Sequence, residues 1–134
     1  MNNGIKQEKN ISILIVEDDK FLRDLLSRKL KNSGYEVEEA VDGKEALKKS
    51  KEKKFEIILL DLVLPGINGF EILEEIKKDS ETSNIPVIIL SNLGQEEEVE
   101  KGLRLGADDY LIKAHFTPDE IINKIKRILN KSKT

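Results

Sequence analysis

Asp61 ends the most apolar short run of the chain, IILLD, and the turn-rich LPGING follows directly. A second apolar run, ILIV, ends in Glu17-Asp18-Asp19, and a third, DYLI, ends in Lys113. In a doubly wound parallel sheet, ligands bind beyond the carboxyl ends of the strands, where the strand order reverses. If the first and third strands are neighbours, Glu17, Asp18 and Asp61 converge there. Two carboxylates ~4 Å apart repel by about 4 kcal/mol at an effective dielectric of ~20. Such a cluster needs a positive partner. A hard divalent cation with oxygen ligands, Mg2+ or Mn2+, meets that need, and Lys113 supplies a further positive charge. Any one of these acids taken alone reads as a helix cap or a solvated charge. Their joint placement at strand ends favours a cation pocket.

The elements that must position these residues follow from the hydropathy pattern. Short apolar runs alternate with amphipathic segments, the signature of an α/β fold with a parallel sheet. Strands are expected at Ile11–Val16, Tyr35–Ala40, Phe55–Leu60, Val87–Leu90 and Asp109–Ile112. The second is the most polar and reads as an edge strand. Phe21, Leu22, Leu25, Leu26 and Leu30 recur at helical spacing, and Asn32-Ser33-Gly34 ends that helix. Further helices are expected after Asp42-Gly43, over Gly69–Lys78 and over Gln95–Leu105. The acids Glu96 to Glu98 suit a helix N-terminus. Thr117-Pro118 starts the last helix as cap and first helical residue, and that helix runs to about Asn130. Residues 1–10 and 131–134 are expected to be tails around one domain spanning 11–130.

Composition narrows the function classes. The chain has 134 residues and a net charge of −3, with mixed signs. It lacks the basic face that strong nucleic-acid binding requires. With no cysteine there is no disulfide or thiolate site, and one histidine rules out a multi-histidine zinc site. No apolar stretch reaches the ~20 residues of a membrane span, and the polar start is no signal peptide. A cytoplasmic protein is expected.

The segments ILIVEDD, LLDLVLPGINGFEIL, IPVIILSN and GADDYLIK, in that order, resemble the receiver domain of two-component response regulators over about residues 11–130. The resemblance implies a five-stranded parallel sheet of order 2-1-3-4-5 with five helices. It implies that Asp61 accepts a phosphoryl group from a histidine kinase or histidine phosphotransfer protein. Asp18 would bind Mg2+ directly, and Glu17 directly or through water. Asp61 and the backbone carbonyl of Val63 would complete the protein ligands. Ser91 and Lys113 would each contact a phosphoryl oxygen, and Tyr110 would turn inward as the switch residue when Ser91 moves. Phosphoryl transfer is catalysed by positioning and charge stabilisation. A carboxylate, ionised near neutral pH, needs no general base. Such a protein is not a conventional enzyme, since it promotes only its own phosphorylation and dephosphorylation.

Some features depart from the family pattern. The family commonly has proline after the lysine, joined by a cis peptide, whereas this chain has Lys113-Ala114-His115-Phe116. A cis bond before alanine costs about 3 kcal/mol, so a rearranged loop is expected there. His115 is read as a loop residue. Asn92 stands where a small residue is usual. Val63 and Leu93, at positions that influence phosphoryl lifetime, are apolar and cannot orient an attacking water.

No effector segment is expected, and output is expected through a downstream protein bound by the fourth helix, fifth strand and fifth helix. The expected state is a monomer. Asp108-Asp109-Tyr110, Lys124 and Lys126 also raise a phosphorylation-promoted dimer. The alternative function is a receiver-like binding scaffold that is not phosphorylated. An aspartate-nucleophile phosphohydrolase would need a D-x-D motif at the first strand, which Glu17-Asp18-Asp19 does not supply.

Overall fold

The computed structural model describes residues 10–131. Five strands, β1 (Ser12–Val16), β2 (Glu36–Ala40), β3 (Ile57–Leu60), β4 (Val87–Ser91) and β5 (Asp109–Ile112), alternate with five helices. The helices are α1 (Lys20–Asn32), α2 (Gly43–Glu52), α3 (Gly69–Lys78), α4 (Glu96–Arg104) and α5 (Pro118–Lys131). Every strand pair is parallel and the order is β2-β1-β3-β4-β5. This is the doubly wound arrangement expected, with β1 paired to both β2 and β3.

The central strands are apolar at nearly every position because helices cover both faces of the sheet. Alternate residues serve opposite layers. Ile13, Ile15, Ile57, Leu59, Ile88 and Leu90 pack with Leu26 and Leu30 of α1 and with Ile121 and Ile125 of α5. Leu14, Val16, Ile58, Leu60, Val87 and Ile89 pack with Ala46 of α2 and with Ile72, Leu73 and Ile76 of α3. Each of the isoleucine, leucine and valine side chains contributes about 1.5–3 kcal/mol on burial. The polar β2, EVEEA, lies at the edge, with its glutamates outside the core.

The helix starts fix the loops at the carboxyl edge of the sheet. Asp19 Oδ1 accepts the Leu22 N–H at 3.3 Å, opening α1. Asp42 accepts the Glu45 N–H at 2.8 Å, and Asn68 accepts the Phe70 N–H at 2.7 Å. At α5, Thr117 Oγ1 accepts the Glu120 N–H at 3.1 Å while Glu120 Oε1 accepts the Thr117 N–H at 2.8 Å, a reciprocal cap. Pro118 takes the first helical position as expected.

The differences from expectation are local. The last helix includes Lys131, which the pattern assigned to a tail. The rest of that tail and residues 1–9 lie outside the described residues. After β5 the chain makes one 3-10 turn, Lys113–His115, with His115 exposed and all described peptide bonds trans. The loop is thus built without the family's cis proline bond. Among the described residues no helix is long and apolar enough to cross a membrane.

Candidate functional site

Residues just past or at the ends of β1, β3, β4 and β5 gather at one edge of the sheet. Asp61 extends the β1–β3 pairing by donating its N–H to the Val16 carbonyl at 3.0 Å. Glu17 extends the β1–β2 pairing by donating its N–H to the Ala40 carbonyl at 3.0 Å. The two carboxyl residues are thereby carried, side by side, to buried positions that are 2% exposed for Glu17 and 3% for Asp61. Asp18, the next residue, is exposed at the mouth. One carboxylate oxygen from each of Glu17, Asp18 and Asp61 lies within 4.8 Å of the others.

Lys113 bridges the two buried acids. Its Nζ lies 2.9 Å from Glu17 Oε1 and 2.9 Å from Asp61 Oδ2. The second oxygens are held by backbone. Glu17 Oε2 accepts the Asp19 N–H at 3.0 Å, and Asp61 Oδ1 accepts the Val63 N–H at 3.1 Å. Burial and the charge of Asp61 push the Glu17 carboxyl up to about 7, against the bonds from Lys113 and the Asp19 N–H. Burial pushes Lys113 down, but its hydrogen bonds to Asp61 and Glu17 outweigh this and leave it above its ordinary value.

The loop after Asp61 is shaped by two glycines. Gly66 has φ 82°, a left-handed conformation that favours glycine, directly after Pro65. Gly69 donates its N–H to the Leu62 carbonyl at 3.1 Å. A Cβ there would fall 2.3 Å from Leu62 Cα, so only glycine lets α3 start so close to β3.

Ser91 ends β4 and is fully buried. Its Oγ accepts the Leu93 N–H at 3.2 Å, which leaves its own hydroxyl hydrogen to be donated. The Leu93 carbonyl in turn accepts the Tyr110 hydroxyl. Tyr110 lies inward, against Gly102 of α4, where a Cβ would fall 3.0 Å from its ring. Burial, with the charges of Glu98 and Asp61, pushes its phenol up to about 12.

The structure therefore brings Glu17, Asp18, Asp61 and Lys113 into one cluster. Among the described residues Ser91 and Tyr110 make no hydrogen bond to those carboxylates; they are linked to each other through Leu93. Val63 contributes its backbone to Asp61, and its side chain stands exposed at the rim. Asn92 is also exposed. One participant is absent from the sequence reading. Arg23 of α1 donates from Nη1 to the Glu17 carbonyl at 2.9 Å. Its sequence signal is faint, a charged residue between the inward positions Leu22 and Leu26.

The donor set fits a hard divalent cation. All candidate ligands are oxygens, three of them converge, and Glu17 is raised by burial first and by the charge of Asp61 second, both of which a bound cation would offset.

Residues 13–126 match the response regulator receiver domain family. The chain is 37% identical over 120 residues to the DNA-binding dual master transcriptional regulator RpaA of Synechocystis sp., covering 90% of this chain and 49% of that protein. It is 44% identical over 120 residues to the transcriptional regulatory protein CpxR homolog of Haemophilus influenzae, covering 90% and 51%. The chain thus spans about half the length of these curated relatives. Among solved structures, a CheY-like response regulator receiver domain protein from Methanospirillum hungatei superposes with a TM-score of 0.86 at 32% identity, covering 93% of this chain and 98% of that one.

Proposed function

This chain belongs to the response regulator receiver domain family, and from that premise we propose that Asp61 is its phosphoacceptor, loaded by a histidine kinase or a histidine phosphotransfer protein. The observation that carries the reading is the pair of buried carboxylates, Glu17 and Asp61, bridged by Lys113 at the carboxyl edge of the sheet. In the transfer, an Asp61 carboxylate oxygen attacks phosphorus. The phosphorus–nitrogen bond of the donor phosphohistidine breaks, an acyl phosphate forms, and the imidazole leaves, taking up a proton. Lys113, already at 2.9 Å from Asp61 Oδ2, neutralises charge on a phosphoryl oxygen. Ser91 donates its hydroxyl hydrogen to another.

Glu17, Asp18, Asp61 and the Val63 carbonyl are the residues that would hold Mg2+, with Mn2+ as a substitute. The ion, when bound, supplies charge neutralisation for the transferring group. The switch is a population shift. The contacts of Ser91 and Lys113 with the phosphoryl group exist in only one arrangement, so phosphorylation biases the chain toward it. The linkage Ser91–Leu93–Tyr110 supports Tyr110 as the residue that reports this to the α4–β5–α5 face, where a downstream protein would bind.

The test is intact mass after incubation with acetyl phosphate, with and without Mg2+, for the unsubstituted chain and Asp61→Asn. The expected result is Mg2+-dependent addition of one phosphoryl group, lost in the variant. No addition, together with failure to bind beryllium fluoride, would overturn the reading in favour of a binding scaffold.

A further inference from the structure

Arg23 is largely buried, and its Nη1 bonds the carbonyl of Glu17 at 2.9 Å. That carbonyl belongs to the peptide that joins Glu17 to Asp18. The N–H of Glu17 is bonded on its other side to the Ala40 carbonyl. The two peptides that flank the Glu17 Cα are therefore held from β2 and from α1, and the one leading to Asp18 is held by Arg23. The guanidinium is itself anchored. Its Nε lies 3.4 Å from Glu39 Oε1 in β2. The other oxygen of Glu39 accepts the Ser27 hydroxyl, and the Glu39 carbonyl accepts Lys49 Nζ.

This arrangement is costly for the fold. Nε is buried and makes no hydrogen bond among the described residues, only the ion-pair approach to Glu39. A buried donor without a hydrogen bond lowers stability. The bond to the Glu17 carbonyl is charge-assisted and correspondingly strong. The side chain thus gives up hydrogen bonding at one atom while fixing the peptide of the pocket with another.

We propose that Arg23 is a positioning residue for the cation site, holding Glu17 and Asp18 in the orientation that binds Mg2+, and that Glu39 holds Arg23. The proposal rests on the metal assignment made above. Groups that orient metal ligands in this way typically change affinity by about 10- to 100-fold.

The experiment is calorimetric titration of Mg2+ into the unsubstituted chain, Arg23→Met, Arg23→Lys and Glu39→Gln, with acetyl phosphate uptake followed against Mg2+ concentration. Arg23→Met is expected to weaken Mg2+ binding by about 10-fold or more. Its uptake rate at saturating Mg2+ is expected to stay near that of the unsubstituted chain. Arg23→Lys, which keeps a charged donor, is expected to restore part of the affinity, and Glu39→Gln to lose some of it. Unchanged Mg2+ affinity in a folded Arg23→Met would overturn the proposal. So would a rate loss that saturating Mg2+ does not recover, since that assigns Arg23 to the fold. If Arg23→Met does not fold, Glu39→Gln decides: reduced affinity supports the proposal and unchanged affinity sinks it. An unsubstituted chain that binds no Mg2+ overturns it together with the metal assignment. Arg23-dependent Mg2+ binding without phosphoryl addition would leave the proposal standing and remove the phosphoacceptor reading alone.

Discussion

Val63 stands 56% exposed at the rim of the pocket, with its backbone N–H committed to Asp61 Oδ1. Hydrolysis of an acyl phosphate on Asp61 needs a water aligned opposite the leaving carboxylate. Neither the isopropyl group of Val63 nor the side chain of Leu93 can hydrogen-bond that water. A phosphoryl lifetime of minutes or longer is therefore expected, shortened several-fold by Val63→Asn, which supplies an amide where the valine offers none. Loss of the phosphoryl group within seconds, at the same rate in both proteins, would refute this. Residues of this kind were legible in the chain because their place is set by strand ends. Asp61, Glu17 and Lys113 each follow an apolar run, and a parallel sheet brings such ends together. Arg23 was not legible because it works through a backbone carbonyl, and no residue type marks the partner of such a bond.

At the scale of elements, the loop from β3 to α3 is the tightest join in the site. Gly69 approaches the Leu62 backbone so closely that an added Cβ would meet Leu62 Cα at 2.3 Å and its carbonyl oxygen at 2.6 Å. Gly69→Ala must push α3 away from β3, at a cost of about 1–3 kcal/mol for a clash of this kind. The same loop carries the Val63 N–H that holds Asp61, so slower phosphoryl uptake is expected alongside the lost stability. Gly66 provides the contrast. It has a left-handed φ, which Gly69 lacks, and nothing lies within 4 Å of its added Cβ, so Gly66→Ala brings only backbone strain of roughly 1–2 kcal/mol. Urea unfolding with parallel uptake assays separates them. Equal uptake in Gly69→Ala and the unsubstituted chain would show that the contact does not shape the pocket. The α3 bounds were readable from Phe70, Leu73 and Ile76 at helical spacing, and those of β5 from the short run that ends in Lys113. The end of β4 was not. Apolar character stops at Leu90, yet Ser91 remains in the strand because it pairs with Ile112 of β5. Backbone pairing, which hydropathy does not record, carries the hydroxyl to the edge.

At the scale of the whole molecule, the buried charges Glu17 and Asp61 sit together at one end of a sheet whose central strands are apolar. A parallel sheet was visible in the alternation of apolar runs with amphipathic segments, while the strand order came from family resemblance rather than from any local pattern. The consequence of that layout is a linkage between protons, cations and folding. Glu17 rises from an ordinary 4.5 to about 7 in the folded chain. A carboxyl raised on folding holds its proton more tightly in the native state, so its contribution to stability is full below about 4.5 and is lost as pH climbs through about 7. Asp24 and Asp79 are lowered and act below their ordinary 3.8, outside this window. The metal-free chain is thus expected to melt several degrees lower near pH 8 than near pH 5, and Glu17→Gln to flatten that difference. A cation prefers the ionised Glu17, so the stabilisation by Mg2+ should grow over the same interval. At a free concentration of about 100 times Kd it amounts to about 2.7 kcal/mol, removed again by chelation. Thermal melts near pH 5 and pH 8, with Mg2+ or with a chelator, measure both effects. An equal gain from Mg2+ at the two pH values, unaffected by Glu17→Gln, would mean that protons and the cation do not compete at this carboxylate, and would remove Glu17 from the ligand set.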